Sequence, residues 1–239
     1  MNNIPIIIPV FNQLTYLKNI INWWKWYYPE NPIVIVDNGS TYEPLLEYYG
    51  KLNGEALIYM REENNCIDNL RAVIQNFIGT DYYVISDPDI MPHPNTPANF
   101  LEIFKKAIDV DGFHRAGFGL ITSDLPEWLN ERAMIIGNEA ELKSNPVNID
   151  FDGKWYAGFK APIDTTFCLY KKSNGGWSAP MNGKDWGNCL RIFDAFHLGW
   201  YQHPVIVNSE MDFYFKNAKY RVPGEPSAGK NNNRPEQYK

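Results

Sequence analysis

Four short apolar runs, at residues 4–10, 33–36, 57–60 and 82–85, limit most sharply what this chain can fold into. They are rich in Ile and Val, carry no polar alternation, and so read as strands buried on both faces. The segments between them have helical spacing. Residues 13–28 place Leu14, Leu17, Ile20, Ile21 and Trp24 three and four positions apart, and helices are also predicted at 44–49 and 69–78. Strands alternating with helices require a parallel sheet covered by helices on both faces, because a parallel connection needs a crossover. An α/β fold with a Rossmann-like, mostly parallel central sheet is therefore expected. At 239 residues it fits a single domain.

Beyond residue 90 the pattern loosens. An amphipathic helix is predicted at 99–108, strands at 117–121 and 164–170, a short helix at 125–132, and a Gly- and Asn-rich loop at 173–188. The domain is expected to span 1–220, with a regular half of nucleotide-binding type (1–90) and a less regular half (91–220). Residues 221–239 are polar and read as a flexible tail. The net charge of −6 disfavours nucleic acid, whose phosphates require a positive surface. The three cysteines, Cys66, Cys168 and Cys189, lack CxxC spacing, which indicates neither a disulfide framework nor a zinc site. Pro5 and Pro9 interrupt the first apolar run, which has no basic start. The expectation is a cytoplasmic protein with no membrane span.

The chemistry gathers at VISDPDIMPHP, residues 84–94. In an open parallel sheet, ligands bind beyond the carboxyl ends of the strands. Asp37, after the second strand, and Asp87, after the fourth, both fall there. Asp87 and Asp89 flank Pro88, whose fixed φ stiffens the turn. Two carboxylates on such a turn suit Mg²⁺ or Mn²⁺, hard ions whose remaining positions a diphosphate can fill.

Three further stretches accompany it in order: IPIIIPVFNQ at the first strand, IVIVDNGST at the second, and REENN after the third. Together these resemble the family 2 and related glycosyltransferases of the GT-A fold over about residues 4–90. The resemblance implies that Pro9, Val10 and Asn12 line a nucleotide pocket, and that Asp37 contacts base or ribose. It also implies that Asn65 belongs to the asparagine-rich turn at the donor, that Arg71 lies near the base or diphosphate, and that Asp87 and Asp89 hold the metal. The family's usual Asn-x-Gly turn is replaced by Asn64, Asn65 and Cys66. The expected donor is a nucleotide sugar, UDP-linked in preference to GDP-linked. The resemblance makes the less regular half, 91–220, the acceptor-binding half; the acceptor is a sugar or glycan, and transfer proceeds with inversion.

Inversion also needs a carboxylate to take the acceptor's proton. Asp164, in APIDTTFCLYKK, is favoured because a strand edge positions a base better than a loop does. Asp185, in NGKDWGNCLR, is the rival; it resembles the family's ED-x-D region but has Lys184 where a glutamate is usual. By analogy with other GT-A enzymes, His197 in FHLGWY completes the metal shell. Trp155, Tyr156, Trp177, Trp186, Trp200 and Tyr201 are candidates to stack on an acceptor sugar. Two other readings remain: a silent carbohydrate-binding module on the same fold, and a sugar nucleotidyltransferase, disfavoured because PVFNQLTY has no Gly, Lys or Arg to grip a triphosphate. A dehydrogenase is disfavoured by the lack of GxGxxG.

Overall fold

Strands β1 (Ile6–Val10), β2 (Ile33–Asn38), β3 (Leu57–Arg61) and β4 (Tyr82–Ser86) run parallel in the order β3-β2-β1-β4. This is the arrangement the apolar runs require. All five residues of β1 and all six of β2 are buried, because both faces of these strands are covered. The computed structural model describes residues 3–129, 131–163, 167–176, 188–203 and 208–218.

Alternate side chains feed two cores. Ile6, Ile8 and Val10 pack with Leu17, Ile20 and Trp24 of α1 (Leu14–Tyr27), Leu45 and Tyr49 of α2 (Glu43–Lys51), and Phe100 and Phe104 of α4 (Phe100–Asp109). Ile7, Val34, Val36 and Ile85 face the other way, onto Leu70, Val73 and Ile74 of α3 (Cys66–Phe77). Much of the aromatic content is spent here: Trp24 stacks on Phe167 at 5.2 Å, and Phe118 meets Phe167 edge-on at 4.5 Å.

Past β4 the sheet becomes mixed. β9 (Phe167–Lys171) lies antiparallel between β4 and β6 (Arg115–Leu120), and β10 (Cys189–His197) runs parallel to β6. An antiparallel hairpin, β7 (Pro146–Phe151) and β8 (Lys154–Lys160), extends the far edge by pairing β8 with β10. The three-residue β5 (Ile90–Pro92) pairs antiparallel with the end of β10, setting His197 opposite Ile90. That pairing builds the site. No helix among the described residues is long and apolar enough to cross a membrane.

The second half departs from the sequence reading in several elements. The helix expected at 125–132 is a pair of turns, with Leu129 N donating to Pro126 O and Arg132 N to Leu129 O. Leu125 and Leu129 are both buried, so their four-residue spacing imitates a helical face. The helix there is α5 (Arg132–Leu142), which buries only Ile135 and Glu139 and has no apolar stripe. The β7–β8 hairpin turns on Asp152 and Gly153, both at positive φ (53° and 78°), the Asp-Gly pair that a tight hairpin favours. A last helix, α6 (Ser209–Asn217), was also unanticipated. The tail at 221–239 lies outside the described residues.

Candidate active site

The carboxyl ends of β1 and β2 are tied into one buried lattice. Asn12 adopts the left-handed conformation (φ 53°), and its side-chain oxygen accepts from Thr41 N (2.8 Å) and Tyr42 N (3.0 Å). Its own N–H donates to Ser40 Oγ at 2.9 Å. Ser40 N in turn donates to Asp37 Oδ1 (2.8 Å), while the Tyr49 hydroxyl donates to Asp37 Oδ2 (2.6 Å). Asp37 is fully buried, with both oxygens engaged. Burial, reinforced by the Asp37 charge, pushes the Tyr49 phenol far above its ordinary value and keeps it a donor.

The neighbouring Asn38 donates to Val10 O and Val36 O (each 3.3 Å) and accepts from Asn69 Nδ2 (2.8 Å). Asn69 reaches back with its oxygen to Arg61 Nε at 3.1 Å. The turns after the first three strands therefore hold one another. Pro9 and Val10 are buried within β1, in register with Val36 and Asp37. Asn65 is the N-cap of α3: its oxygen accepts from Asp68 N (3.3 Å), and its amide donates to Asp68 Oδ2 (2.7 Å). Arg71 is exposed and paired with Asp68 at 2.6 Å.

At the end of β4, Asp87 and Asp89 are both part-buried. Ile90 N donates to Asp87 O (3.4 Å), and Leu198 N donates to Asp89 O (2.8 Å), which locks the turn against the end of β10. Asp89 Oδ2 thereby comes within 3.5 Å of His197 Nδ1. That nitrogen is buried and makes no hydrogen bond among the described residues, and its ring stacks on Trp200 (centroids 4.7 Å, 14° between planes). Gly199 completes the corner. A Cβ there would lie 2.9 Å from Asp89 Oδ2 and 3.3 Å from His197 Nδ1.

A carboxylate oxygen facing an orphaned imidazole nitrogen is a donor set that a divalent cation fits, with the nitrogen favouring Mn²⁺ over the strictly oxygen-seeking Mg²⁺. Among the described residues no group of three or more His, Cys, Asp or Glu converges on one point.

Two residues that sequence reasoning missed border this corner. Tyr16, in the first turn of α1, has its phenol pushed well up by burial and then by the charges of Asp89 and Glu210, so it remains protonated. Glu210, on α6, is buried and accepts from Thr15 N (2.9 Å) and Thr15 Oγ1 (2.6 Å). It caps α1 from 195 residues away, where Gln13 makes no side-chain cap of its own. Phe213 and Tyr214 of α6 then pack on Tyr42 (5.1 Å) and Phe11 (6.3 Å), covering both turns.

The candidate bases Asp164 and Asp185 lie outside the described residues, as do Trp177 and Trp186. Trp200 is buried in the core, and Tyr201 donates to Asp124 at 2.7 Å. Trp155, by contrast, is 68% exposed.

A parallel half ending in an Asp-Pro-Asp turn, followed by a mixed half that returns a histidine to that turn, places the chain among the glycosyltransferases of GT-A type. Residues 6–165 match the family model described as Glycosyl transferase family 2, and the chain belongs to that family. No curated protein matches it. Among solved structures it is similar to the mannosyltransferase PcManGT from Pyrobaculum calidifontis, in complex with GDP-Man and Mn²⁺. That match has a TM-score of 0.51 and 13% identity, and covers 90% of this chain and 60% of that one. A second similarity is to GalNAc-T7 with UDP, GalNAc and Mn²⁺, with a TM-score of 0.51 and 14% identity, covering 82% of this chain and 44% of that one. The chain thus spans less than two thirds of either protein.

Proposed function

We propose that the protein moves a sugar from a nucleotide-sugar donor, UDP-linked, to a sugar or glycan acceptor, with inversion and with Mn²⁺ preferred to Mg²⁺. The observation that carries this reading is the corner where Asp89 Oδ2 faces the unpartnered Nδ1 of His197 at 3.5 Å, directly beyond β4. Asp89 and His197 would hold the ion, with Asp87 reaching it through water or phosphate, and the ion when bound would neutralise the charge that grows on the departing diphosphate. Pro9, Val10 and Asn12 would form the wall beside the nucleotide. Asp37 and Asn65 would act by fixing the turns at 38–42 and 64–68, since their side chains bond within those turns. Arg71 would exchange Asp68 for the diphosphate. Asp164, with Asp185 as the alternative, would take the acceptor's proton.

The test is a thermal-shift series with UDP, GDP, CMP and dTDP, each with and without Mn²⁺, on the wild type and Asp89→Ala. A shift for UDP that needs Mn²⁺ and disappears in the variant supports the reading. A nucleotide shift that needs no metal and survives the substitution removes it. Metal-dependent hydrolysis of a UDP-sugar excludes the silent carbohydrate-binding alternative.

A further inference from the structure

A cavity of about 260 Å³ opens where the β7–β8 hairpin joins β10, and none of the residues discussed for the donor line it. Its walls include Trp155, Tyr156, Phe193, Asp194, Lys143 and Arg191. Three observations indicate a ligand. First, the indole of Trp155 is 68% exposed, whereas Tyr156 packs edge-on against Phe193 (5.5 Å, 84°) on the core side with Lys154 Nζ over its ring at 4.9 Å, so Trp155 is the aromatic face left open. Second, Arg191 is only 6% exposed, and its Nε has no hydrogen-bond partner among the described residues although Nη2 is paired with Glu139 at 2.9 Å. A buried donor left open beside a cavity calls for an oxygen from outside the chain. Third, the register of β10 slips between Arg191 and Asp194, with Phe193 in the left-handed region (φ 64°). Such a bulge re-aims side chains, here those of Phe193 and Asp194.

Charge defines the ligand class. Among the described residues neither Lys143 nor Asp194 forms an ion pair, and Glu139 already balances Arg191. Among the described residues the walls thus present an unpaired Lys143 and an unpaired Asp194 beside the exposed indole of Trp155. That combination suits a neutral molecule with an apolar face and hydroxyls at its rim, which is a neutral sugar ring. The cavity lies about 10 Å along β10 from the metal corner, since Asp194 is three residues before His197, and that odd separation sets the two side chains on opposite faces of the strand; β8 runs antiparallel, so Trp155 lies beyond the Ile192–Gly158 pair toward the same end.

We infer that this cavity binds a neutral glycosyl residue of the acceptor, stacked on Trp155 and hydrogen-bonded by Asp194, Lys143 and Arg191. The inference rests on the transferase reading for the word acceptor, and on the cavity alone for the word sugar.

The test is saturation-transfer NMR without donor, using maltotriose, cellotriose, mannotriose and chitotriose, with sialyllactose as the acidic probe, on the wild type, Trp155→Ala and Asp194→Asn. Mn²⁺-dependent UDP binding and thermal unfolding are measured on the same samples. We expect transfer to at least one neutral trisaccharide, weakened tenfold or more by each substitution, with UDP binding and unfolding temperature unchanged. Transfer to none of the neutral probes, to sialyllactose alone, or undiminished in both variants overturns the inference while UDP binding leaves the transferase reading standing. Transfer that depends on Trp155 in a protein that binds no nucleotide supports the sugar cavity and removes the enzyme.

Discussion

Replacing Gly199 by alanine tests the metal corner without touching a proposed ligand. The added methyl would lie 2.9 Å from Asp89 Oδ2, where ordinary contact begins at 3.4 Å, so the carboxylate must retreat by about 0.5 Å. His197 is crowded as well, at 3.2 Å from its Cε1. Stability should fall by no more than about 3 kcal/mol. Crowding costs about 1–3 kcal/mol, and the lower chain entropy of alanine in the unfolded state offsets about 0.4–1 kcal/mol of that. Metal bonds tolerate such a displacement poorly, and disturbing the support of a metal ligand typically weakens binding about 10- to 100-fold. Calorimetric titration of UDP in the presence of Mn²⁺ should therefore show that loss, while UDP alone binds the variant and the wild type equally weakly. Wild-type affinity for UDP with Mn²⁺ in a folded Gly199→Ala protein would refute the reasoning, because it would mean that Asp89 and His197 can move apart at no cost to the ion.

Tyr49→Phe should lower stability by about 1–3 kcal/mol in urea unfolding, since it leaves the buried Asp37 Oδ2 without its donor; an unchanged midpoint contradicts the lattice described above. Glu139→Gln should cost more, about 3–5 kcal/mol, by stranding the charge of buried Arg191, and pairing it with Arg191→Met should recover most of the loss. Asp109 provides a pH test. Burial acts to raise its carboxyl, but hydrogen bonds from Lys105, Lys171 and Tyr82 outweigh this and hold it at about 2, below its ordinary 3.8. A depressed folded value means stabilisation that is complete above the ordinary value and lost as the pH falls toward 2. Asp109→Asn should therefore be less stable than the wild type at pH 6, with the difference shrinking below the ordinary value and vanishing below about pH 2, as read by thermal unfolding across that range.

The first half of the fold was legible because β1, β2 and β4 are buried on both faces and write themselves as unbroken apolar runs such as Ile6–Val10, while the exposed edge strand β3 is equally apolar at Leu57 and Met60. The second half was not, for reasons specific to each element. The burial of β7 is irregular, α5 has no stripe, and β10 is broken by a bulge at Phe193. The hairpin did leave one legible signal, the Asp152-Gly153 pair, that the reading passed over. At the site, the Asp-Pro-Asp turn was proposed from a strand end and a short motif and His197 by analogy, and the structure sets Asp89 and His197 3.5 Å apart. The sequence did not reveal that Asp37, Asn12 and Asn65 spend their side chains on neighbouring turns, since a polar residue after a strand looks the same whether it meets a ligand or an amide. Glu210 capping α1 across 195 residues is a tertiary contact that no local pattern encodes.

The central claim is that the carboxylates of the Asp-Pro-Asp turn and His197 hold a divalent ion against a nucleotide diphosphate. Anomalous diffraction at the manganese edge, from crystals grown with Mn²⁺ and UDP, addresses it directly. The account predicts a single strong peak in contact with Asp89 and His197 and bridged to the diphosphate. UDP bound with no anomalous peak at that corner, or manganese seated elsewhere, would contradict it.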